Sequence, residues 1–340
     1  MIISKMLENY LKKNNMYLVT GCAGFIGSHL AKYLALKNKL VVGVDMFKIT
    51  DEKSLKLDRI NNIKSELAQE NKSHNFTYIT LNICDNKKLN KLFKSYNFKK
   101  VIHLAASAGV RQSTLCSEEF IRNNILGFHN VINSCRDNNI EHLIYASSSS
   151  LYNKKTDDLT HESYNTSSPK SIYAYTKKAN ELIAHVYGKL YNIKTTGLRF
   201  FSVYGPYGRE DMSYYKFTEA IVNSKTIILS NEGKNMRDFT YIDDIIEVIN
   251  KIIDQKPKEL YNIYNVGSEK PISIYNIIKK IETILSKKTK LKNTNKFVED
   301  ALHTASDSSL LKREFDISLD TNIDDGLEKF IKWYKEYIKN

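Results

Sequence analysis

Tyr173 and Lys177 stand one helical turn apart in a segment whose apolar residues recur at three- and four-residue steps. Positions i and i+4 share a helix face, so a phenol and an ammonium can aim at one reacting centre. A cation beside a phenol favours the phenolate, the form that takes up a proton as a general base. Tyr175 competes for the aromatic role, but its i+4 residue is Ala179, which cannot complete the pair. Upstream, four hydroxyls in a row, Ser147 to Ser150, close an apolar run that begins at His142. At the carboxyl edge of a sheet such hydroxyls stand where open α/β folds bind ligands, and one of them can orient the oxygen that the tyrosine deprotonates.

A second set of residues reads as a phosphate cradle. The run Tyr17 to Thr20 leads into Gly21-Cys22-Ala23-Gly24-Phe25-Ile26-Gly27, and a helix is expected from Phe25. Gly21 permits the tight turn, Gly24 lets backbone approach a pyrophosphate, and Gly27 lets the helix pack on the strand. Asp45 ends the next apolar run, 18 residues after Gly27, where a carboxylate accepts both hydroxyls of an adenosine ribose. An acid there repels a 2'-phosphate, so NAD is expected in preference to NADP. No histidine pair has zinc spacing, and Cys22, Cys84, Cys116 and Cys135 are far apart, so no metal and reduced thiols are expected.

These groups need a scaffold of alternating strands and helices. Strands are expected at Tyr17–Thr20, Leu40–Asp45, Phe76–Leu81, Val101–Ala105, His142–Ser147 and Thr195–Phe201, with helices at Phe25–Leu36, Asn86–Tyr96, Glu118–Asn138 and Ile172–Tyr191. That alternation predicts an α/β fold, a Rossmann-type doubly wound parallel sheet with a smaller mixed α/β substrate-binding lobe. It stops after Tyr204-Gly205-Pro206-Tyr207-Gly208, returns as a strand and helix at Asp238–Ile253, and ends with helices at Ser273–Ser286 and Asp324–Ile338. The dinucleotide-binding domain is therefore expected to comprise residues 1–201 and 237–256, and the substrate lobe 202–236 and 257–340. Residues 1–14 read as a polar helical extension, and Asp243 and Asp244 as a helix N-cap.

The chain has 340 residues, of which 42% are hydrophobic and 26% charged, enough to bury a large core and unlike a disordered or low-complexity sequence. No apolar stretch approaches the roughly 20 residues of a membrane span. Lysine and glutamate interrupt the amino terminus before a signal-peptide core forms, so a cytoplasmic protein is expected. The net charge of +13 is spread as lysine pairs along the chain. Without clusters to neutralise phosphates, nucleic-acid binding is not expected, although the positive field suits an anionic small substrate.

Thr20-Gly21-x-x-Gly24-Phe25-Ile26-Gly27, His103-Leu104-Ala105-Ala106, Ser148 and the Tyr173/Lys177 pair together resemble the extended short-chain dehydrogenase/reductases that modify nucleotide sugars. The resemblance covers the chain from Tyr17 onward. It implies Ser148 as the active-site hydroxyl, 25 residues before Tyr173, on both catalytic and substrate contacts. It further implies Phe25 and Ile26 at the glycine loop, Asn82 and Ile83 at the adenine, the backbone of Leu104 to Ala106 along the cofactor, and Asn124, Phe200, Tyr173 and Lys177 as cofactor contacts. Arg237 is implied at the sugar diphosphate. Three departures stand out: Asn82 where aspartate is commoner, Asn153 in place of a glycine, and Val298-Glu299-Asp300 in place of Pro-Gly-Asp.

Dehydratases of this family carry Asp-Glu immediately after the active-site hydroxyl, and decarboxylating members a glutamate in the same stretch. Ser149 and Ser150 stand there instead, and neither transfers a proton as a carboxylate does. The runs Ala108 to Arg111, Lys177 to Glu181, Arg199 to Pro206 and Gly208 to Met212 look most similar to UDP-glucuronate 4-epimerases. The resemblance thus implies NAD-dependent interconversion of a UDP-sugar at C4, a role in polysaccharide biosynthesis, and a homodimer joined through the helices near Glu118–Asn138 and Ile172–Tyr191. Ser149, Ser202 and Arg209, with Arg111, are candidates to hold a sugar carboxylate by charge-assisted bonds. The alternative gives Arg111 and Arg209 only to the diphosphate or to a surface salt link. A neutral-sugar 4-epimerase, a dehydratase and a non-catalytic dinucleotide-binding relative remain as alternatives.

Overall fold

The computed structural model describes residues 15–46, 54–152, 158–294 and 302–339. The amino-terminal extension 1–14, Asn153 and Val298-Glu299-Asp300 lie outside the described residues. The strands are β1 Met16–Thr20, β2 Leu40–Asp45, β3 Phe76–Thr80, β4 Phe98–His103, β5 His142–Ser148, β6 Thr195–Phe200, β7 Ser202–Tyr204, β8 Ile227–Ser230, β9 Met236–Tyr241, β10 Tyr261–Val266, β11 Pro271–Ser273 and β12 Leu291–Thr294. The longer helices are α1 Phe25–Leu36, α2 Leu55–Gln69, α3 Asn86–Ser95, α4 Gly127–Asp137, α5 Ile172–Tyr191, α6 Ser213–Val222, α7 Ile242–Asp254, α8 Ile274–Leu285 and α9 Ile323–Tyr337.

Seven strands form one sheet in the order β10-β6-β5-β4-β1-β2-β3. The neighbours from β3 through β2, β1 and β4 to β5 run parallel, so each must return through a crossover, and helices supply it. The strand order reverses between β1 and β4, which makes this a Rossmann-type doubly wound sheet with its ligand-binding crevice at the carboxyl ends of those strands. Leu18, Val42, Val101 and Leu143 in the central strands are fully buried against Phe128 and Val131 of α4, and that apolar layer fixes strand register.

Several boundaries differ from expectation for local reasons. β4 starts at Phe98 and ends at His103 rather than spanning Val101–Ala105; Lys99 and Lys100 mask its polar start, and Leu104 and Ala105 lie beyond its end. The expected helix Glu118–Asn138 is three segments: a turn at Ser117–Phe120, a π-helical stretch Ile121–Leu126, and α4. Among the elements that the sequence pattern does not show are α2 and β10. Helix α2 packs Leu55, Ile60, Ile63 and Leu67 inward, but its polar flanks conceal the period. β10 carries asparagines at 262 and 265, and the buried Asn265 amide is satisfied by the Thr160 and Asp307 carbonyls, which accept from its nitrogen, and by the Tyr152 hydroxyl, which donates to its oxygen.

The chain divides into two compact units. The first runs up to Leu151 and includes Pro169–Leu198 and Ile249–Ile263. The second comprises Tyr152–Ser168, Arg199–Val248 and the chain from Tyr264 on. Inside the second unit, β7 pairs parallel with β9, β9 pairs antiparallel with β11, and β8 pairs with β12. Tyr204, Tyr214, Phe239 and Phe330 pack edge to face there. Asp244 does not cap α7; its carboxylate accepts from the Thr321 hydroxyl and amide at 2.6 and 3.2 Å, tying α7 to the segment before α9.

Candidate active site

In the first unit, the glycine loop has the shape that its three glycines require. Gly21 has φ +73°, and a Cβ there would come within 2.6 Å of the Ala105 nitrogen. A Cβ on Gly27 would strike the Gly21 carbonyl. The bond from Gly24 N–H to Gly21 carbonyl, 2.8 Å, closes the turn, and α1 starts directly after it, so the loop ends at a helix N-terminus, whose first-turn amides lack intrahelical acceptors. This cradle fits a dinucleotide pyrophosphate. Phe25 and Ile26 open α1, with Phe25 buried.

Asp45 meets the loop directly: its Oδ2 accepts from Ala23 N–H at 3.0 Å, and Oδ1 from Met46 N–H at 2.8 Å and Lys56 Nζ at 2.9 Å. Buried Arg59 donates to the Ala23 carbonyl at 3.1 Å. Sequence reasoning missed both cations because it missed α2; the signal was Ser54, whose hydroxyl caps Leu57, ahead of apolar residues at helical spacing. Asn82 uses its side-chain oxygen to accept from Cys84 N–H at 2.9 Å, and Ile83 is buried with its carbonyl bonded to Asn130.

Past β4, Leu104 N–H donates to the Thr20 carbonyl and Ala105 N–H to the Thr20 hydroxyl, at 3.1 and 3.3 Å, so the backbone of Leu104 to Ala106 runs beside the glycine loop. His103 bonds the same hydroxyl through Nδ1 at 2.8 Å; burial, and then the charge of Lys177, lower its pKa to about 3 and keep the imidazole neutral. Asn124, in the π-helical stretch, spends its amide on the next segment: Oδ1 accepts from Ser107 N–H at 2.8 Å, and Nδ2 reaches the Ser107 carbonyl and the Thr176 hydroxyl at 2.9 and 3.0 Å. Its side chain therefore braces the strap that follows β4 against α5.

Helix α5 begins at Ile172 because Ser171 caps it, accepting from Ala174 N–H. Tyr173 packs edge to face against Phe120 at 6.2 Å. Lys177 is buried, its Nζ 5.9 Å from the Tyr173 ring centroid and donating to the Ala146 carbonyl at 2.9 Å. Burial lowers the Lys177 pKa to about 8, so near neutrality it is a largely charged ammonium beside the tyrosine. Ser148 ends β5; its Oγ accepts from Ser150 N–H at 3.2 Å and lies 2.9 Å from Ser150 Oγ. With that oxygen already accepting, the Ser148 hydrogen is available to a substrate oxygen. The fold thus brings Ser148, Tyr173 and Lys177 onto two neighbouring elements. Arg111 is exposed on the short helix Val110–Leu115.

The second unit holds the other candidates. Ser202 opens β7, paired with Phe239, and Phe200 is buried at the end of β6. The Arg209 guanidinium is gripped in bidentate fashion by Asp211, Nε to Oδ1 at 2.9 Å and Nη2 to Oδ2 at 2.6 Å. Arg237 lies on β9, with Nη1 bonded to the Met236 carbonyl. Its neighbour Asp238, fully buried, accepts from the amides and hydroxyls of Ser268 and Ser306 at 2.6 to 2.9 Å and from Glu269 N–H at 3.2 Å.

Residues 17–267 match the NAD dependent epimerase/dehydratase family. The chain belongs to that family, and its cofactor is NAD. It is 42% identical to Protein CapI of Staphylococcus aureus over 95% of this chain and 99% of that one. A UDP-glucuronate 4-epimerase of Thermodesulfobacterium geofontis is 37% identical, covering 95% of this chain and 97% of the relative. Among solved structures, UDP-glucuronic acid 4-epimerase from Bacillus cereus, in complex with UDP-glucuronic acid and NAD, superposes with a TM-score of 0.85 at 31% identity, over 94% of this chain and 99% of that chain.

Proposed function

We propose that the protein is a UDP-glucuronate 4-epimerase that interconverts UDP-glucuronate and UDP-galacturonate. The observation that carries this reading is end-to-end similarity to a UDP-glucuronate 4-epimerase, 37% identical over 95% of the chain. NAD, when bound in the glycine-loop cradle, accepts hydrogen from C4 of the sugar and returns it. In this reading the Lys177 ammonium favours the phenolate of Tyr173, which takes the proton of the 4-hydroxyl and becomes the neutral phenol, and Ser148 donates to the sugar oxygen. The 4-keto sugar then turns over, and hydrogen returns to its other face with no net redox change.

Site roles beyond this core belong to the same proposal. Gly21, Gly24, Phe25, Ile26, Gly27, Asp45, Asn82, Ile83, Leu104, Ala105, Ala106, Asn124 and Phe200 serve the cofactor. Arg237 serves the diphosphate, while Ser149, Ser202, Arg209 and Arg111 serve the anionic sugar. The expected division into a dinucleotide domain of 1–201 and 237–256 and a sugar lobe of 202–236 and 257–340 differs from the compact units, which put 152–168, 199–201 and 237–248 with the second unit and 257–263 with the first. We also propose a cytoplasmic homodimer that feeds polysaccharide synthesis. On α5, Tyr175, Leu182, Val186 and Leu190 are exposed along one stripe, and Ile121 and Leu126 are exposed on the helical run before α4. An apolar stripe of this kind suits a helix-to-helix interface. Incubation with UDP-glucuronate and chromatography of the products tests the activity; sedimentation tests the dimer, which a monomer at micromolar concentration contradicts.

A further inference from the structure

Glu181 is a buried carboxylate that this chemistry does not use. It lies on α5 one turn beyond Lys177 and is 1% exposed. Its Oε1 accepts from the Ser147 hydroxyl at 2.7 Å, and its Oε2 lies 3.7 Å from Lys178 Nζ. One turn earlier, Lys177 Nζ donates to the Ala146 carbonyl at 2.9 Å. Two successive residues of β5 are thus tied to two successive turns of α5, and the next residue of β5 is Ser148.

We propose that Glu181 is a positioning residue that sets the register between α5, which carries Tyr173 and Lys177, and the end of β5, which carries Ser148. The role rests on the assignment of those three residues as the reacting groups. The tie at Ala146 alone holds α5 to β5 at one point; a second tie one residue and one turn further on fixes the register between helix and strand. Serine hydroxyl to carboxylate is a short, charge-assisted bond, stronger than one between neutral groups. Reacting groups misplaced by about 1 Å lose up to about 100-fold in rate. On this account the Ser147 hydroxyl serves register and the Ser148 hydroxyl serves chemistry, although the two are adjacent and identical in type.

The test compares Glu181→Ala, Glu181→Gln, Ser147→Ala and the double variant Ser147→Ala/Glu181→Ala. Glu181→Ala and Ser147→Ala are expected to lower kcat by about tenfold, with KM and bound NAD content within about twofold of the wild type. Glu181→Gln, whose amide oxygen still accepts from Ser147, is expected to restore kcat to within about threefold, and the double variant to fall no further than the worse single variant. Wild-type kcat in both alanine variants with only a lowered unfolding midpoint overturns the proposal, as do losses that multiply in the double variant. If Glu181→Ala does not fold, Ser147→Ala and Glu181→Gln carry the test alone. Wild-type turnover of UDP-glucuronate judges the reading of the site. The variant-to-wild-type ratio, measured on whichever UDP-sugar the wild type converts, separately judges Glu181.

Discussion

The phenol of Tyr173 and the ammonium of Lys177 lie within one turn of α5, and their contributions separate by substitution and by pH. Tyr173→Phe keeps the ring against Phe120 but removes the oxygen, so turnover is expected to fall by about 10² or more while NAD stays bound. Product assay alongside absorbance of the released dinucleotide checks both halves. Lys177 has a pKa lowered by burial to about 8 from its ordinary 10.5, so turnover is expected to decline as pH rises through about 8, well below the point at which a solvated lysine loses its proton. The stability term has the opposite sign. Between about 8 and 10.5 the unfolded chain binds more protons at this site than the folded one, so its contribution to stability rises with pH across that window. A kcat profile flat to pH 10 contradicts the assignment. Asp45 is proposed to select the dinucleotide. Asp45→Ala is expected to weaken NAD and narrow its advantage over NADP in calorimetric titrations; an original protein that prefers NADP contradicts the reading of β2.

Elements differ in how openly the sequence shows them. β1, α1 and β2 were readable because glycines, an apolar run and a terminal aspartate occur together, and each has a single physical reason to be there. α5 matched from Ile172 to Tyr191, since its capping serine and apolar period agree. α2 and β10 were hidden because their buried polar groups, Arg59 and Asn265, find partners only through the folded chain: the Ala23 carbonyl for one, and Thr160 and Asp307 for the other. The role of Asn124 was obscured in the same way, because the π-helical stretch that aims it at Ser107 has no period of its own. Asp238 shows how far such ties bind elements together. It joins β9 to the segments at Ser268 and Ser306, so Asp238→Ala leaves at least two buried hydroxyls without acceptors. A loss of roughly 3–5 kcal/mol is expected, measured by urea unfolding. A loss below about 1 kcal/mol contradicts that role.

At the scale of the molecule, a glycine loop, a Tyr/Lys pair, a strand-end serine and Arg111 occupy one Rossmann-type unit, while Arg209 and Arg237, proposed to serve an anionic sugar nucleotide, lie in the other. The substrate's own chemistry sharpens the account. Removing hydrogen from C4 of a hexuronic acid makes a β-keto acid, which loses carbon dioxide unless its carboxylate is held in an unfavourable orientation. Ser149, Ser202 and Arg209 are assigned that grip, and Ser149 and Ser150 replace the carboxylates that other reactions need. Replacing Ser202 or Arg209 is therefore expected to raise the ratio of pentose product to epimer, resolved by chromatography and mass spectrometry; an unchanged ratio contradicts the grip. The most direct measurement is wild-type protein with UDP-glucuronate and no added oxidant or reductant, followed by separation of the UDP-sugars. The account predicts an equilibrium mixture of UDP-glucuronate and UDP-galacturonate with little UDP-pentose. Inert UDP-glucuronate, together with conversion of UDP-glucose or UDP-N-acetylglucosamine, would contradict it.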